Sequence, residues 1–391
     1  MSTRILIRSL MMTYILSSPR LVRISIPAMN KISHSKSWFL NPDRNPILHF
    51  FVRKLVYDPF SAGQNEAEIQ RTMSTIKDMG FEGVILGYSK ETLVDKSATA
   101  EEAAGLGRGV SCALESCVEE WKEGNLRTLA MLGTTDFLAI KLTGAGPLAT
   151  ESLAKKLPPP PVVLKAITEI CDQASKQKTR LWIDAEQQVF QTAILKGTPA
   201  NIEKHLSFAQ DEGWTLGIKL VRGAYIASEP RHLIHDTIED THAAYNSIVQ
   251  SLLTRNFPGV DPSKEFPSLQ LMLASHNEES VKKGYGTWRE RKENGLPTIY
   301  MEIAQLQGMA DEISCGLVQA RREMCSEKVE WESECYPRAF KCLCWGGAQE
   351  SIQFLVRSVI ENRGSLDRTR FWLVGLKREL WRRIKSPLGF R

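Results

Sequence analysis

Short apolar runs, each closed by a polar or charged residue, alternate along this chain with stretches of helical periodicity. The runs fall at 83–88, 137–144, 180–186, 216–225, 269–277, 298–309 and 339–347. Most lack a clean alternation of polar and apolar positions, as expected of parallel strands covered on both faces. Between them, 65–77 places Ile69, Met73 and Ile76 at helical spacing, and 112–122, 200–212, 232–254 and 349–363 also read as helical. A Gly/Ala/Ser-rich loop spans 97–111, and the four prolines Pro158 to Pro161 form an extended connector that cannot be helix interior. Strands alternating with helices predict right-handed crossovers and a parallel sheet, an α/β architecture. Lys141, Asp184, Arg222, His276, Asn277 and Gln305 close these strands. In a (β/α) barrel such ends converge on one mouth, where function resides. Seven strands can be read, one fewer than a full barrel needs.

The run 216–225 carries Lys219 in its middle and ends in Arg222, Gly223 and Ala224. A lysine inside a buried strand is costly unless an anion meets it. Two readings fit: a phosphate-bearing cofactor at a small-residue turn, or cations paired with local carboxylates. Asp184 and Glu186 end the run 180–186 and are candidates for such pairing.

Composition narrows the classes. The net charge of +5 over 391 residues is mild and arises partly from the N-terminus, so it gives no case for nucleic-acid binding. No apolar run is long enough to span a bilayer. The eight cysteines form no CxxC pair, so free thiols and no metal site are expected, and His232, His235 and His242 read as helix surface. Residues 1–42 hold Arg4, Arg8, Arg20, Arg23, Lys31 and Lys36 with no acidic residue. That is the composition of a mitochondrial transit segment, expected to be disordered and trimmed before Asn41, with 43–391 as the folded domain. Residues 365–391 set eight basic residues against two acidic ones and interleave Phe371, Trp372 and Trp381. Such a helix can lie on an anionic bilayer or pack back on the body of the protein.

Taken together, 183–186 (IDAE), 219–225 (KLVRGAY), 275–277 (SHN), 305–309 (QLQGM) and the pattern Arg357…Glu361-Asn362 resemble the proline dehydrogenase family, its fungal form above all. The resemblance implies a (β/α)8 TIM-type barrel with C-terminal helices, holding FAD at its mouth. It implies a mitochondrial oxidoreductase flavoprotein of proline catabolism, associated peripherally with the matrix side of the inner membrane. Its reaction is oxidation of L-proline to 1-pyrroline-5-carboxylate, with electrons passed to a quinone. By the same resemblance, Lys219 and Arg222 meet the FAD pyrophosphate and ring system, and Gly223-Ala224 allow close backbone approach. His276, Asn277 and Gln305 contact the cofactor, while Lys141 and Asp184 line the substrate side of the flavin. Tyr225 packs near the substrate ring. Arg357 holds the substrate carboxylate, for which its planar fork is well shaped, and Glu361 orients it one turn on.

Three departures from the family pattern stand out. Ser358 replaces the second of two adjacent arginines, Cys342 replaces a substrate-pocket tyrosine, and only 29 residues separate Glu186 from Leu216. Two βα units need about 50–60 residues, so a strand is missing there. The departures leave room for a catalytically impaired paralogue or truncated gene product that binds flavin or a partner without turnover. They also leave room for an altered preference, such as hydroxyproline.

Overall fold

Seven parallel strands form one sheet: β1 (Gly83–Tyr88), β2 (Phe137–Ile140), β3 (Arg180–Ile183), β4 (Leu216–Val221), β5 (Leu269–Ala274), β6 (Tyr300–Leu306) and β7 (Arg338–Trp345). The computed structural model describes residues 3–35, 37–89, 107–186, 197–223, 229–326, 337–361 and 366–385. The sheet order is β3-β2-β1-β7-β6-β5-β4. The first strand thus pairs with the last, Gly83 opposite Phe340 and Tyr88 opposite Trp345, and the sheet curls into a nearly closed α/β barrel of TIM type. The one pairing absent among the described residues is β3 with β4, and residues 187–196, where the sequence reads as missing a strand, lie outside the described residues.

The two free edges show in the burial. Ile183 on β3 and Val221 on β4 are each 49% exposed, whereas the strands remote from the seam are almost wholly buried. Side chains bridge what backbone pairing leaves open. Trp182 of β3 lies over β4 so closely that a Cβ on Gly217 would sit 3.1 Å from its ring. Asp184, just beyond β3, forms an ion pair with Lys219 of β4. Lower in the barrel, Arg180 Nη1 donates to Glu302 Oε1 on β6 at 2.9 Å, and the same oxygen accepts from the Tyr300 hydroxyl at 2.9 Å. Burial pushes the Glu302 carboxyl up, against the pull of Arg180.

Inward positions follow the two-residue period of a strand. Ile85, Phe137, Ala139, Met272, Ala304 and Phe340 fill the barrel, with Trp182 and Cys342 against them. The outward positions Leu138 and Ile140 pack under α5 (Gly107–Met131) and α7 (Pro161–Gln177), with α6 (Pro147–Ala154) between. On the other side Met301, Ile303 and Leu343 pack under α4 (Glu66–Asp78), α9 (Ile238–Leu253), α10 (Glu278–Glu293) and α11 (Asp311–Ser326). The remaining helices are α1 (Thr3–Ser17), α2 (Pro19–Ser33), α3 (Pro46–Val52), α8 (Thr198–Glu212), α12 (Ala348–Glu361) and α13 (Leu366–Lys385). Helix α5 continues well past the expected end at 122. Its Gly124 is a packing residue and not a stop, since a Cβ there would collide with the Tyr88 ring.

Two expectations are corrected. Residues 1–42 are not disordered throughout. Ser18 caps α2 through the Leu21 N–H, Leu6 and Val22 are buried, and α1 packs on α13 while α2 packs on α12. Apolar faces on both segments provide the burial that a merely basic tail would lack. Cys117, Cys171, Cys315, Cys342 and Cys344 are free thiols, but Cys325 is in a disulfide.

Trp182→Ala is expected to cost about 2–3 kcal/mol in urea unfolding, toward the low end for truncating a large aromatic because the side chain is only partly enclosed. Hydrogen exchange should then quicken first on β3 and β4. Equal loss across all strands would place the weak line elsewhere. A second expectation concerns Glu312 in the first turn of α11, whose carboxyl burial pushes up to about 7 against a favourable backbone hydrogen bond, with Asp311 adding repulsion. A carboxyl raised above its unfolded value of about 4.3 contributes fully below that value and loses its contribution as pH climbs through 7. Glu312→Gln should therefore gain about 1–3 kcal/mol at pH 8, with the gain vanishing near pH 4. A gain independent of pH would mean that burial of the charge is not the cause.

Candidate active site at the barrel mouth

The same period of two decides which strand-end residues can face the mouth. Lys141 continues the inward row of Phe137 and Ala139; Asp184 continues that of Trp182; Lys219 and Cys342 stand inward on β4 and β7. These four form one electrostatic group: Lys219 and Asp184 are paired, and the Cys342 thiol feels Lys219, Asp184 and Lys141. Burial opposes the Lys219 charge, but Asp184, and after it Cys342, outweigh that, and the ammonium is held above its ordinary range. Burial pushes the Cys342 thiol up, with Lys219 opposing, so it is neutral near pH 7. Lys219 thus has a local carboxylate partner in Asp184.

Lys141 is fixed at both ends. Its carbonyl accepts from the Trp121 indole at 3.0 Å. Its ammonium lies 4.2 Å from the centre of the Phe354 ring on α12, a contact that places α12 across the mouth beside β2. Glu186 does not reach the mouth. It is buried, and accepts from the Thr143 backbone N–H at 2.9 Å and the Thr143 hydroxyl at 2.7 Å, tying the turn after β2 to the end of β3.

On the far side, His276 Nε2 accepts the Leu306 N–H at 3.1 Å, which leaves Nδ1 as the protonated nitrogen of the neutral ring. Asn277 is buried and caps α10, its Oδ1 accepting from Ser280 N at 2.8 Å. Gln305 is held by neighbouring strand and helix residues. It shares the outward row of Met301 and Ile303, and its amide donates to the Ser275 carbonyl at 3.3 Å and accepts from the Ser314 hydroxyl at 2.9 Å. Both ends are therefore held beneath α11, away from the mouth.

Beyond β4, Arg222 N still pairs with the Ala274 carbonyl at 3.3 Å before the chain turns. Gly223 makes that turn with φ +73°, and a Cβ there would meet nothing within 4 Å. The open glycine beside Lys219 and Arg222 suits the approach of an anionic, phosphate-bearing group, and the donor set fits FAD in that respect. Ala224 and Tyr225 lie outside the described residues. Arg357 and Glu361 stand on α12, but their side chains are outside what is described; Ser358 is buried on the same helix. Two residues were not singled out in the sequence: Phe354, which seats Lys141, and Trp182. The Trp182 Nε1–H is buried with no hydrogen-bond partner among the described residues. An aromatic directly before Ile183-Asp184, on the inward row, was the available signal for it.

Comparison with known proteins agrees with this geometry. The family profile described as proline dehydrogenase matches residues 193–371. A probable mitochondrial proline dehydrogenase of Schizosaccharomyces pombe is 26% identical over 97% of this chain and 88% of its own length. The mitochondrial proline dehydrogenase 1 of Caenorhabditis elegans is 28% identical over 57% of this chain, but only 38% of its own length is covered. A hydroxyproline dehydrogenase of Rattus norvegicus is 31% identical over 49% of this chain and 39% of its own. Among solved structures, proline utilization A of Bdellovibrio bacteriovorus superposes with a TM-score of 0.64 at 12% identity, over 90% of this chain and 38% of that one. That likeness speaks to the fold alone. By profile and by sequence, the chain is similar to the proline dehydrogenases.

Proposed function

We propose that the chain is a mitochondrial FAD-dependent proline dehydrogenase, oxidising L-proline to 1-pyrroline-5-carboxylate and passing electrons to a quinone. The observation that carries this reading is the cluster Lys141, Asp184, Lys219 and Cys342 at a barrel mouth overhung by α12. FAD, when bound, supplies the hydride acceptor. The residues that would hold it are Lys219, Arg222 and Gly223 at the end of β4 and His276 after β5, with Ala224 continuing the β4 turn.

The chain's own groups then have distinct tasks. Lys219 is matched by Asp184, and Lys141 stands beside that pair on the inward row of β2 and against Phe354, so a lysine borders the place where an amino-acid carboxylate would enter. Arg357 on α12 would clamp the carboxylate bidentately and fix which ring carbon faces the acceptor. Cys342, neutral and smaller than the family's tyrosine, leaves space beside the substrate ring. A hydroxylated proline is therefore the natural competitor substrate, in keeping with the hydroxyproline-oxidising relative.

A second reading is flavin binding without turnover, favoured by the open seam between β3 and β4, because Asp184 sits on the less supported edge. Purified protein with absorbance near 450 nm that reduces a quinone analogue with proline sustains the first reading. The same absorbance without turnover on proline or hydroxyproline supports the second.

Peripheral docking on the inner membrane fits a quinone-linked enzyme. Helix α13 leaves Val374, Trp381 and Ile384 exposed at 58%, 59% and 48%, with Lys377, Arg378, Arg382 and Lys385 around them. None of the described helices is long and apolar enough to cross a membrane. Each cation near an anionic surface contributes about 1 kcal/mol.

If the protein turns over proline, Arg357→Met should raise its KM at least tenfold with FAD still bound. Loss of FAD at unchanged KM would move Arg357 to the cofactor. The protein should also float with cardiolipin-containing vesicles in low salt and release in high salt, with Trp381→Ser weakening the association severalfold. Flotation that ignores both salt and Trp381 would remove α13 as the anchor.

A further inference from the structure

Helix α12 begins where the sequence provides no cap. Residues 345–348 read Trp-Gly-Gly-Ala, and none of their side chains can accept a hydrogen bond from the first free N–H groups of the helix. The cap arrives from about 300 residues away. Asp43 Oδ1 accepts from Ala348 N at 3.0 Å, and Asp43 Oδ2 accepts from Gln349 N at 3.1 Å. Asp43 is itself set by an Asx turn, its N–H donating to Asn41 Oδ1 at 2.8 Å.

The surrounding arm adds further ties along one side of the helix. Gln349 Nε2 donates to the Ser35 carbonyl at 2.9 Å, and Asn41 Nδ2 donates to Gln349 Oε1 at 3.2 Å. One turn on, Gln353 Nε2 donates to the Ser33 carbonyl at 2.8 Å. Ser33 and Asn41 are buried by this packing, and α2 lies against α12. The junction with the barrel is equally specified. Tyr57 donates to the Gly346 carbonyl at 2.9 Å, and Gly346, at φ +143°, leaves no room for a Cβ, which would collide with Ser89 Oγ.

We propose that residues 33–35 and 37–43, kept in the folded protein and not trimmed before Asn41, form a strap that sets the position of α12 over the mouth, with Asp43 as its positioning residue. The role rests on the reading of α12 as the helix that presents Arg357 to the substrate carboxylate. Arg357 lies nine residues beyond Ala348, about 14 Å along the axis, so a small tilt at the capped end is carried to the substrate end. A misplacement of about 1 Å is worth about a hundredfold in a reaction that depends on orientation.

The full-length chain tests this with Asp43→Ala, Asp43→Asn, and the paired change Gln349→Ala with Gln353→Ala, which loosens the strap without touching the cap. Hydrogen exchange and calorimetric titration with proline are read on each. Asp43→Ala is expected to speed exchange about tenfold through the whole of α12, leave β1 and β7 unchanged, and weaken proline binding about tenfold. Asp43→Asn, which keeps one accepting oxygen, should fall between it and the unaltered chain, and the paired change should show the same pattern more weakly. Faster exchange confined to 348–350, with proline affinity unchanged, would overturn the proposal and leave Asp43 a local cap. If the unaltered protein binds no proline, the substrate reading of α12 fails, while exchange at the Arg357 end still decides whether the arm holds the helix.

Discussion

The ion pair between Asp184 and Lys219 closes this barrel where its backbone pairing stops. A buried pair of this kind is not a source of large net stability, because removing two charges from water offsets most of their attraction. Breaking it is another matter, since the charge left behind is mostly shielded from water, which can replace only part of the lost partner. The pair is therefore better understood as a constraint than as a glue: it fixes the separation of β3 and β4 at the level of the mouth. Trp182 against Gly217 fixes it one layer lower, and Arg180 on Glu302 anchors β3 across the barrel at the base. The residues that give the mouth its charge are thus the same ones that hold its walls at a working distance.

That double duty bears on how much is legible in the sequence. The strands are legible because apolar runs that end in polar residues, set between helical stretches, fit a parallel sheet with a functional edge and little else. The deficit of one strand follows from counting the residues between Glu186 and Leu216, and the opening in the sheet lies at that deficit. Features that depend on a partner far away in the chain are not legible in this way. Gly124 reads as a helix breaker on its own, and only the Tyr88 ring against it makes it a packing residue. The N-terminal helices read as a basic tail because their burial comes from α12 and α13. The bonds of Gln305 to Ser275 and Ser314 likewise come from residues 30 and 9 positions away, which its own segment does not announce.

The profile match and the geometry divide the molecule in an informative way. The matched span, 193–371, contains β4 to β7 and α12. Its chemistry is the cationic turn after β4, the histidine after β5 and the overhanging helix. The part before it, β1 to β3, contributes Lys141 and Asp184 at the mouth. The two parts meet directly through the β1–β7 ladder and, on the opposite side, through side chains among the described residues. Asp184 of the unmatched part reaches Lys219 of the matched part across that side-chain contact.

A closed ring of strands is redundant: each strand is held from two sides, so losing one ladder still leaves a sheet. Here β3 has a single ladder, Phe137 to Ile140 beside Arg180 to Ile183, continued by one bond from Asp184 N to the Ile140 carbonyl. The carboxylate that neutralises Lys219 hangs from the end of that one ladder. Any change that frays β2 and β3 at their top therefore acts twice, unseating an edge strand and unmasking a buried cation. Among the described residues no second backbone ladder holds that edge, and Trp182 and Arg180 are the ties left to absorb either loss.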